Sequence, residues 1–266
     1  MKRQAKTILH MFDVKARAVL LFVCLLFSVS ACAPKMVENR LSDIPSEYET
    51  TACDARDKIL CSVLYLTCNT AGASANGIIM DITDSALLIV TSAHVADLIE
   101  SEEGSAYAQA ANGYPAFPVN ILWTDEDADL AFLTAKKDGL DADLLNRISA
   151  AVCNETAYDN LQKGDILTCL YLDRLDPTGF FYPESSLGEA VLLNKSVPVD
   201  GFSKNMMYLD YPSLKGMSGS GIYDSCGNLV GLLSAGDEEQ GTTVAVPLPD
   251  LLSAFEAASQ LCNRLF

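Results

Sequence analysis

An all-β fold, sandwich or barrel, is what this sequence predicts. Three observations carry the prediction. Short apolar runs rich in β-branched and leucine residues recur at roughly even spacing from about residue 58 onward. Turn-prone residues separate them. Sustained helical spacing of apolar residues occurs only at the C-terminal end. Half of the 266 residues are hydrophobic, enough to bury a sizeable core in one large domain or two small ones.

The elements follow in order. Basic residues ending at Arg17 precede an apolar run over residues 18–27. That run is short for a membrane span and suits the h-region of an export signal. It closes on Val29, Ser30, Ala31 and Cys32, which resembles a bacterial lipobox, whose cysteine is lipidated and becomes the new N-terminus. The expected leader is 1–31, with a lipid anchor on Cys32 and an extracytoplasmic, membrane-anchored location. A plain secretory signal cut near Ala31 or Ala33 is the alternative, and Met11 offers a second start. Residues 32–55 are polar and proline-containing, a tether, and 56–262 form the folded domain.

Within that domain, strands are expected over 59–66, 77–82 and 86–91, the last two separated by Thr83, Asp84 and Ser85. Strands over 106–111 and 117–123 flank Asn112-Gly113, a pair that tolerates the positive φ of a tight hairpin. Further strands are expected over 130–134, 165–172, 189–193, 206–209, 221–223, 229–234 and 242–246. Residues 142–152 suggest a short helix. Apolar residues at 251, 252, 255, 258 and 261 predict a C-terminal helix over 248–262.

Composition narrows the function. The whole chain carries 18 basic and 35 acidic residues. Removing the leader leaves 13 against 34, a charge of −21. Such a surface repels nucleic-acid phosphates, so no nucleic-acid partner is expected. Seven cysteines follow Cys32. Export permits disulfides, and an odd number leaves at least one thiol unpaired within the chain. No CxxC pair occurs and one histidine remains beyond the leader, so neither a metal nor a cofactor is expected.

That histidine, His94, opens the chemistry. It follows an apolar strand between small residues. Far downstream Ser218 stands between Gly216 and Gly219, which permit a tight turn and leave the hydroxyl approachable. Between them lie Asp125, Asp127 and Asp129 at even spacing, able to share one strand face. Asp129 is preferred because apolar residues follow it directly, and an acid that orients an imidazole must be buried. Acyl transfer needs a nucleophile, a base and an orienting acid, with backbone donors aimed at the oxyanion. Ser218, His94 and Asp129 fill the first three roles, and the amides of Gly216 and Ser218 the fourth.

The chain resembles bacterial trypsin-like serine peptidases, nearest to the HtrA type. The resemblance rests on Thr91-Ser92-Ala93-His94-Val95, the Asn112-Gly113 hairpin, Asp129-Leu130-Ala131, Gly164-Asp165-Ile166-Leu167, the Gly216–Gly221 loop, Gly227-Asn228-Leu229-Val230-Gly231-Leu232 and Ala245-Val246-Pro247. It spans about residues 56–260. It implies two six-stranded antiparallel β-barrels of the chymotrypsin type, a first barrel over about 56–145 and a second over about 162–247. The active site would lie in the cleft between them. By the same resemblance Ser234, Ala235 and Gly236 form the edge that pairs with substrate. Pro212 would sit at the base of the primary pocket, with Ser213 and Leu214 leaving room for small or apolar side chains. Met217 replaces the Asn or Asp that precedes the serine in better-known members, which removes an acid for an activating N-terminal ammonium. No PDZ-like extension is expected, so caged oligomers are not carried over, and the oligomeric state stays open.

The expected function is a membrane-tethered serine endopeptidase acting on proteins or peptides. Two alternatives remain at this point. One is a catalytically silent fold serving as a binding module. The other is a non-enzymatic surface lipoprotein with coincidental motifs, which predicts that His94 and Ser218 lie far apart.

Overall fold

The computed structural model describes residues 55–68, 74–100, 106–111, 114–173 and 183–265. The leader, Cys32, most of the tether, and the Asn112-Gly113 turn lie outside the described residues.

Two closed six-stranded barrels account for every strand among the described residues. The first is built from β1 (Val63–Cys68), β2 (Ser74–Ile82), β3 (Ala86–Thr91), β4 (Ala106–Ala110), β5 (Phe117–Asp125) and β6 (Leu130–Lys136). Its strand order is β1-β2-β3-β6-β5-β4, closed by antiparallel pairing of β4 with β1. The second contains β7 (Ile166–Asp173), β8 (Glu184–Val197), β9 (Met206–Asp210), β10 (Gly221–Tyr223), β11 (Leu229–Asp237) and β12 (Thr242–Pro247). Its order is β10-β11-β12-β9-β8-β7, closed by β7 on β10. All pairings within the barrels are antiparallel, and closure leaves neither sheet with a long free edge.

The apolar runs of β2, β3 and β6 now have a physical reason. Successive side chains of a strand point to opposite faces, and here both faces are dry. Ile79, Leu87, Ile89, Leu133 and Ala135 fill the first barrel. Their neighbours Ile78, Met80, Leu88, Val90, Leu130 and Phe132 join the core shared with the second barrel and the C-terminal helix. A strand buried on both sides reads as a continuous apolar run rather than an alternation.

Among the described residues, helices decorate the barrels at 55–60 and at α1 (Ala93–Glu100), α2 (Ala142–Leu145), α3 (Glu155–Asn160) and α4 (Leu248–Leu265). The sequence predicts α4 with the right start, but its buried stripe is Leu248, Leu251, Ala254, Ala258 and Cys262. Leu252 and Phe255 only flank the core. Four further differences are corrections. Residues 55–60 are helical and β1 begins at Val63, so Ile59 and Leu60 are not strand. The helix expected over 142–152 stops at Leu145; Ser149 and Ala151 instead donate to carbonyls of Cys61 and Ile79 on the first barrel. The helix α3 was not expected. Asn154, the first residue of an Asn-x-Thr sequon, caps it by accepting from the Ala157 amide at 3.0 Å, the usual work of an asparagine at a helix start. Finally, β8 runs 14 residues where a short strand was expected.

Candidate active site

His94 leaves β3 through Thr91 and Ser92 and stands in the first turn of α1, not at a strand end. Its side chain is 45% exposed. Asp129 reaches the same place by a tight turn. A 3-10 turn, Glu126–Ala128, ends β5 and is capped by Asp125, whose carboxylate accepts from the Ala128 amide. Asp129 follows in the left-handed conformation, with φ 50° and ψ 47°. Aspartate is among the few side chains that adopt it readily. This turn corrects the expectation that Asp125, Asp127 and Asp129 share one strand face. The chain leaves strand geometry between them, and Asp129 is the one brought to His94.

The carboxylate of Asp129 accepts from the His94 main-chain amide at 3.1 Å and lies 3.0 and 3.1 Å from His94 Nδ1. Its second oxygen also accepts from the Ser234 hydroxyl. With only acceptors facing it, Nδ1 must carry the proton. Nε2 is then free to accept, and it stands 2.9 Å from Ser218 Oγ. His94 and Ser218 are therefore in contact, which removes the reading of coincidental, distant motifs.

Ser218 is held by its backbone rather than its side chain. Met217 donates to the Leu214 carbonyl, Gly219 to Leu233, and Ser220 to Met217. Gly216 and Gly219 both have positive φ, 94° and 79°. The amides of Gly216 and Ser218 find no hydrogen-bond acceptor among the described residues. Met217 is buried, and its sulfur accepts from the Leu214 amide at 3.2 Å. A thioether thus fills the place where an acid would have faced an ammonium.

Beside this cluster lies a cleft of about 470 Å³. His94, Ser213, Leu214, Ser218, Ala235 and Gly236 help line it, with Lys215 and Glu238 also in its wall. The structure departs from expectation at two of these positions. Pro212 is exposed and does not line the cleft; Ser213 does, with its side chain packed on Gly236. A Cβ at 236 would collide with it, so this wall requires glycine. Ser234 was expected only at the substrate edge. The pairing of β11 with β12 slips between Leu233 and Ala235, and this bulge re-aims one side chain. The Ser234 side chain points to Asp129. No sequence signal marks it, since a serine ending an apolar run is unremarkable. The backbone over 235–236 pairs with β12 on one side only.

Electrostatics favour an ionised Asp129. Burial alone would raise its pKa. Hydrogen bonds from His94 and Ser234 and the charge of His94 outweigh this, holding the carboxyl below its ordinary 3.8. A depressed carboxyl stabilises the fold above its unfolded pKa, and the contribution is lost as pH falls through the folded value. Ser234→Ala removes a hydrogen bond to a charge, about 1.5–3 kcal/mol. It should therefore lower the melting temperature at pH 7, and the difference should shrink as pH falls below 3.8 and close once the wild-type carboxyl is protonated as well. Parallel melting curves across pH would sink this assignment. The thiols differ: burial pushes Cys153 up to about 11 and Cys169 up to about 12, so neither is an activated nucleophile. These two, with Cys61, Cys226 and Cys262, are free thiols.

Comparison with known proteins agrees with this architecture. The trypsin-like peptidase domain matches residues 75–232. Similar solved structures include Deg5, at 19% identity and TM-score 0.60, covering 79% of this chain and 94% of that one. An HtrA-type protease, an AlgW variant with tripeptide, matches at 18% identity and TM-score 0.60, covering 77% and 62%. An inactive-form mutant of Rv3671c from M. tuberculosis H37Rv matches at 13% and 0.56, covering 79% and 93%. No curated protein matches the chain.

Proposed function

The chain belongs to the trypsin-like peptidase family and is a serine endopeptidase, and from that premise we propose that it cleaves peptide bonds through Ser218, His94 and Asp129. One observation carries the reading: a single imidazole is hydrogen-bonded to a partly buried carboxylate on one side and to a glycine-flanked serine on the other. Ser218 Oγ attacks the scissile carbonyl while His94 Nε2 takes its proton. Asp129 holds the tautomer and stabilises the imidazolium. The oxyanion of the tetrahedral intermediate falls to the amides of Gly216 and Ser218. His94 then protonates the departing amine, and water hydrolyses the acyl-enzyme by the reverse sequence.

Substrates are proteins or peptides in extended form, adding a strand to the side of residues 235–236 that does not pair with β12. Uncharged Ser213 and Leu214 suit small or apolar side chains beside the scissile bond. Wild-type protein should react with a fluorophosphonate probe, and both Ser218→Ala and His94→Ala should abolish the labelling. A folded wild type that stays unlabelled would turn the reading toward a silent binding module.

The same proposal includes the address. A lipid on Cys32 would hold the enzyme on the outer side of a membrane, with the tether setting its reach. Among the described residues no helix is long and apolar enough to cross a membrane. Cys32→Ser should move the protein from the membrane fraction to the soluble one. Retention of the variant in membranes would argue against the lipid anchor.

A further inference from the structure

Asn76 sits on β2 in the first barrel and is fully buried, yet its carboxamide serves the other barrel. Its Oδ1 accepts from the Leu172 amide at 2.7 Å. Its Nδ2 donates to the Leu172 carbonyl at 3.2 Å and to the Gly216 carbonyl at 2.9 Å. Its own main-chain amide donates to the Ser218 carbonyl at 2.8 Å. Its main-chain carbonyl accepts from the Thr91 hydroxyl at 2.7 Å. Both protons of the carboxamide are used, on two different carbonyls, so no shorter side chain can reproduce the arrangement.

The consequence follows from peptide planarity. Fixing the Gly216 carbonyl fixes the plane between residues 216 and 217. Fixing the Ser218 carbonyl fixes the plane between 218 and 219. The Ser218 amide belongs to the plane between 217 and 218, which is thereby held at both ends. The Gly216 amide belongs to the plane between 215 and 216, which adjoins a fixed plane and is related to it by the two dihedrals of Gly216 alone, whose φ is 94°. One residue therefore restrains both amides that find no acceptor in the loop.

We infer that Asn76 is a positioning residue for the oxyanion hole: its carboxamide anchors the Gly216 carbonyl so that the Gly216 and Ser218 amides stay aimed at the developing oxyanion. This rests on the reading of Ser218 as nucleophile. Asn76→Ala keeps the main-chain bonds to Ser218 and Thr91 but frees the Gly216 carbonyl. Removing one oxyanion donor outright costs about 10²–10³ in kcat. Loosening two donors without removing either should cost roughly 10- to 100-fold in kcat.

A purely structural tie between barrels predicts something different, and the test separates them. Wild type, Asn76→Ala and Asn76→Ser are compared on a peptidyl-valine p-nitroanilide and on the matching peptidyl-valine boronate. The boronate forms a tetrahedral adduct with the serine and places an oxygen where the oxyanion develops. The expected result is a kcat lowered roughly 10- to 100-fold, KM within about twofold of wild type, and a boronate inhibition constant raised by the same factor as kcat falls. Unchanged boronate affinity, or a loss that appears in KM alone, would overturn the inference. So would failure of both variants to fold, because the side chain would then belong to joining the barrels. A wild type that neither turns over nor labels with fluorophosphonate overturns the nucleophile reading and this inference together. An active wild type with unaltered Asn76 variants overturns this inference alone.

Discussion

Ser218→Ala and His94→Ala should each lower turnover roughly 10⁴-fold or more, with little change in folding. At about 1.36 kcal/mol per decade, that is at least about 5.5 kcal/mol of transition-state stabilisation. The structure explains why stability should be spared. The Ser218 hydroxyl bonds to His94 Nε2, and the loop is held by backbone bonds that alanine keeps. His94 is nearly half exposed, so its truncation opens no sealed cavity. The two substitutions act on one proton transfer, and the double variant should be scarcely worse than either single one. Residual rate should reflect the Gly216 and Ser218 amides, which neither change touches. A large fall in melting temperature alongside the lost activity would assign these side chains to structure instead.

Gly219→Ala is expected to disrupt the serine loop where it packs on the first barrel. The position has φ 79°, and a left-handed conformation costs an ordinary side chain about 1–2 kcal/mol. The added Cβ would also meet the Asn76 carbonyl and lie 2.5 Å from Thr91 Oγ1. Asn76 and Thr91 are both fully buried, so the loop must move rather than its neighbours, at a further cost of about 1–3 kcal/mol. The melting temperature should drop roughly 4–20 °C for a chain of this size, and fluorophosphonate labelling should be lost with it. Gly241→Ala is the matched control, because its φ is 68° but nothing lies within 4 Å of its Cβ position. Equal melting temperatures for the two variants would show that contact with the first barrel does not matter.

The fold was legible because its signals are local. Twelve apolar runs were separable by turns, and the structure gives the reason two of them, β3 and β6, lack alternation: both faces are buried. What escaped was short or depended on neighbours. The run over 59–66 looked continuous, yet its first residues are helical and Val63 begins the strand. The helix α3 is six residues long, too short for an apolar period to show. Of the three neighbours assigned to the pocket by resemblance, Ser213 and Leu214 line the cleft and Pro212 does not.

The sequence by itself determined the all-β class, and its resemblance to trypsin-like peptidases pointed to two barrels and to His94, Asp129 and Ser218. Apolar runs are written residue by residue, and a histidine, an aspartate before an apolar run and a glycine-flanked serine, each weak alone, become informative through their order along the chain. Only the tertiary structure decided how those groups are aimed. The Ser234 hydroxyl on the Asp129 carboxylate and the Asn76 carboxamide on the Gly216 carbonyl join residues 105 and 140 positions apart. Each exists because two barrels close against one another. A hydrogen bond between distant segments leaves no period and no motif in the chain, only a polar residue among apolar ones whose partner the packed fold supplies.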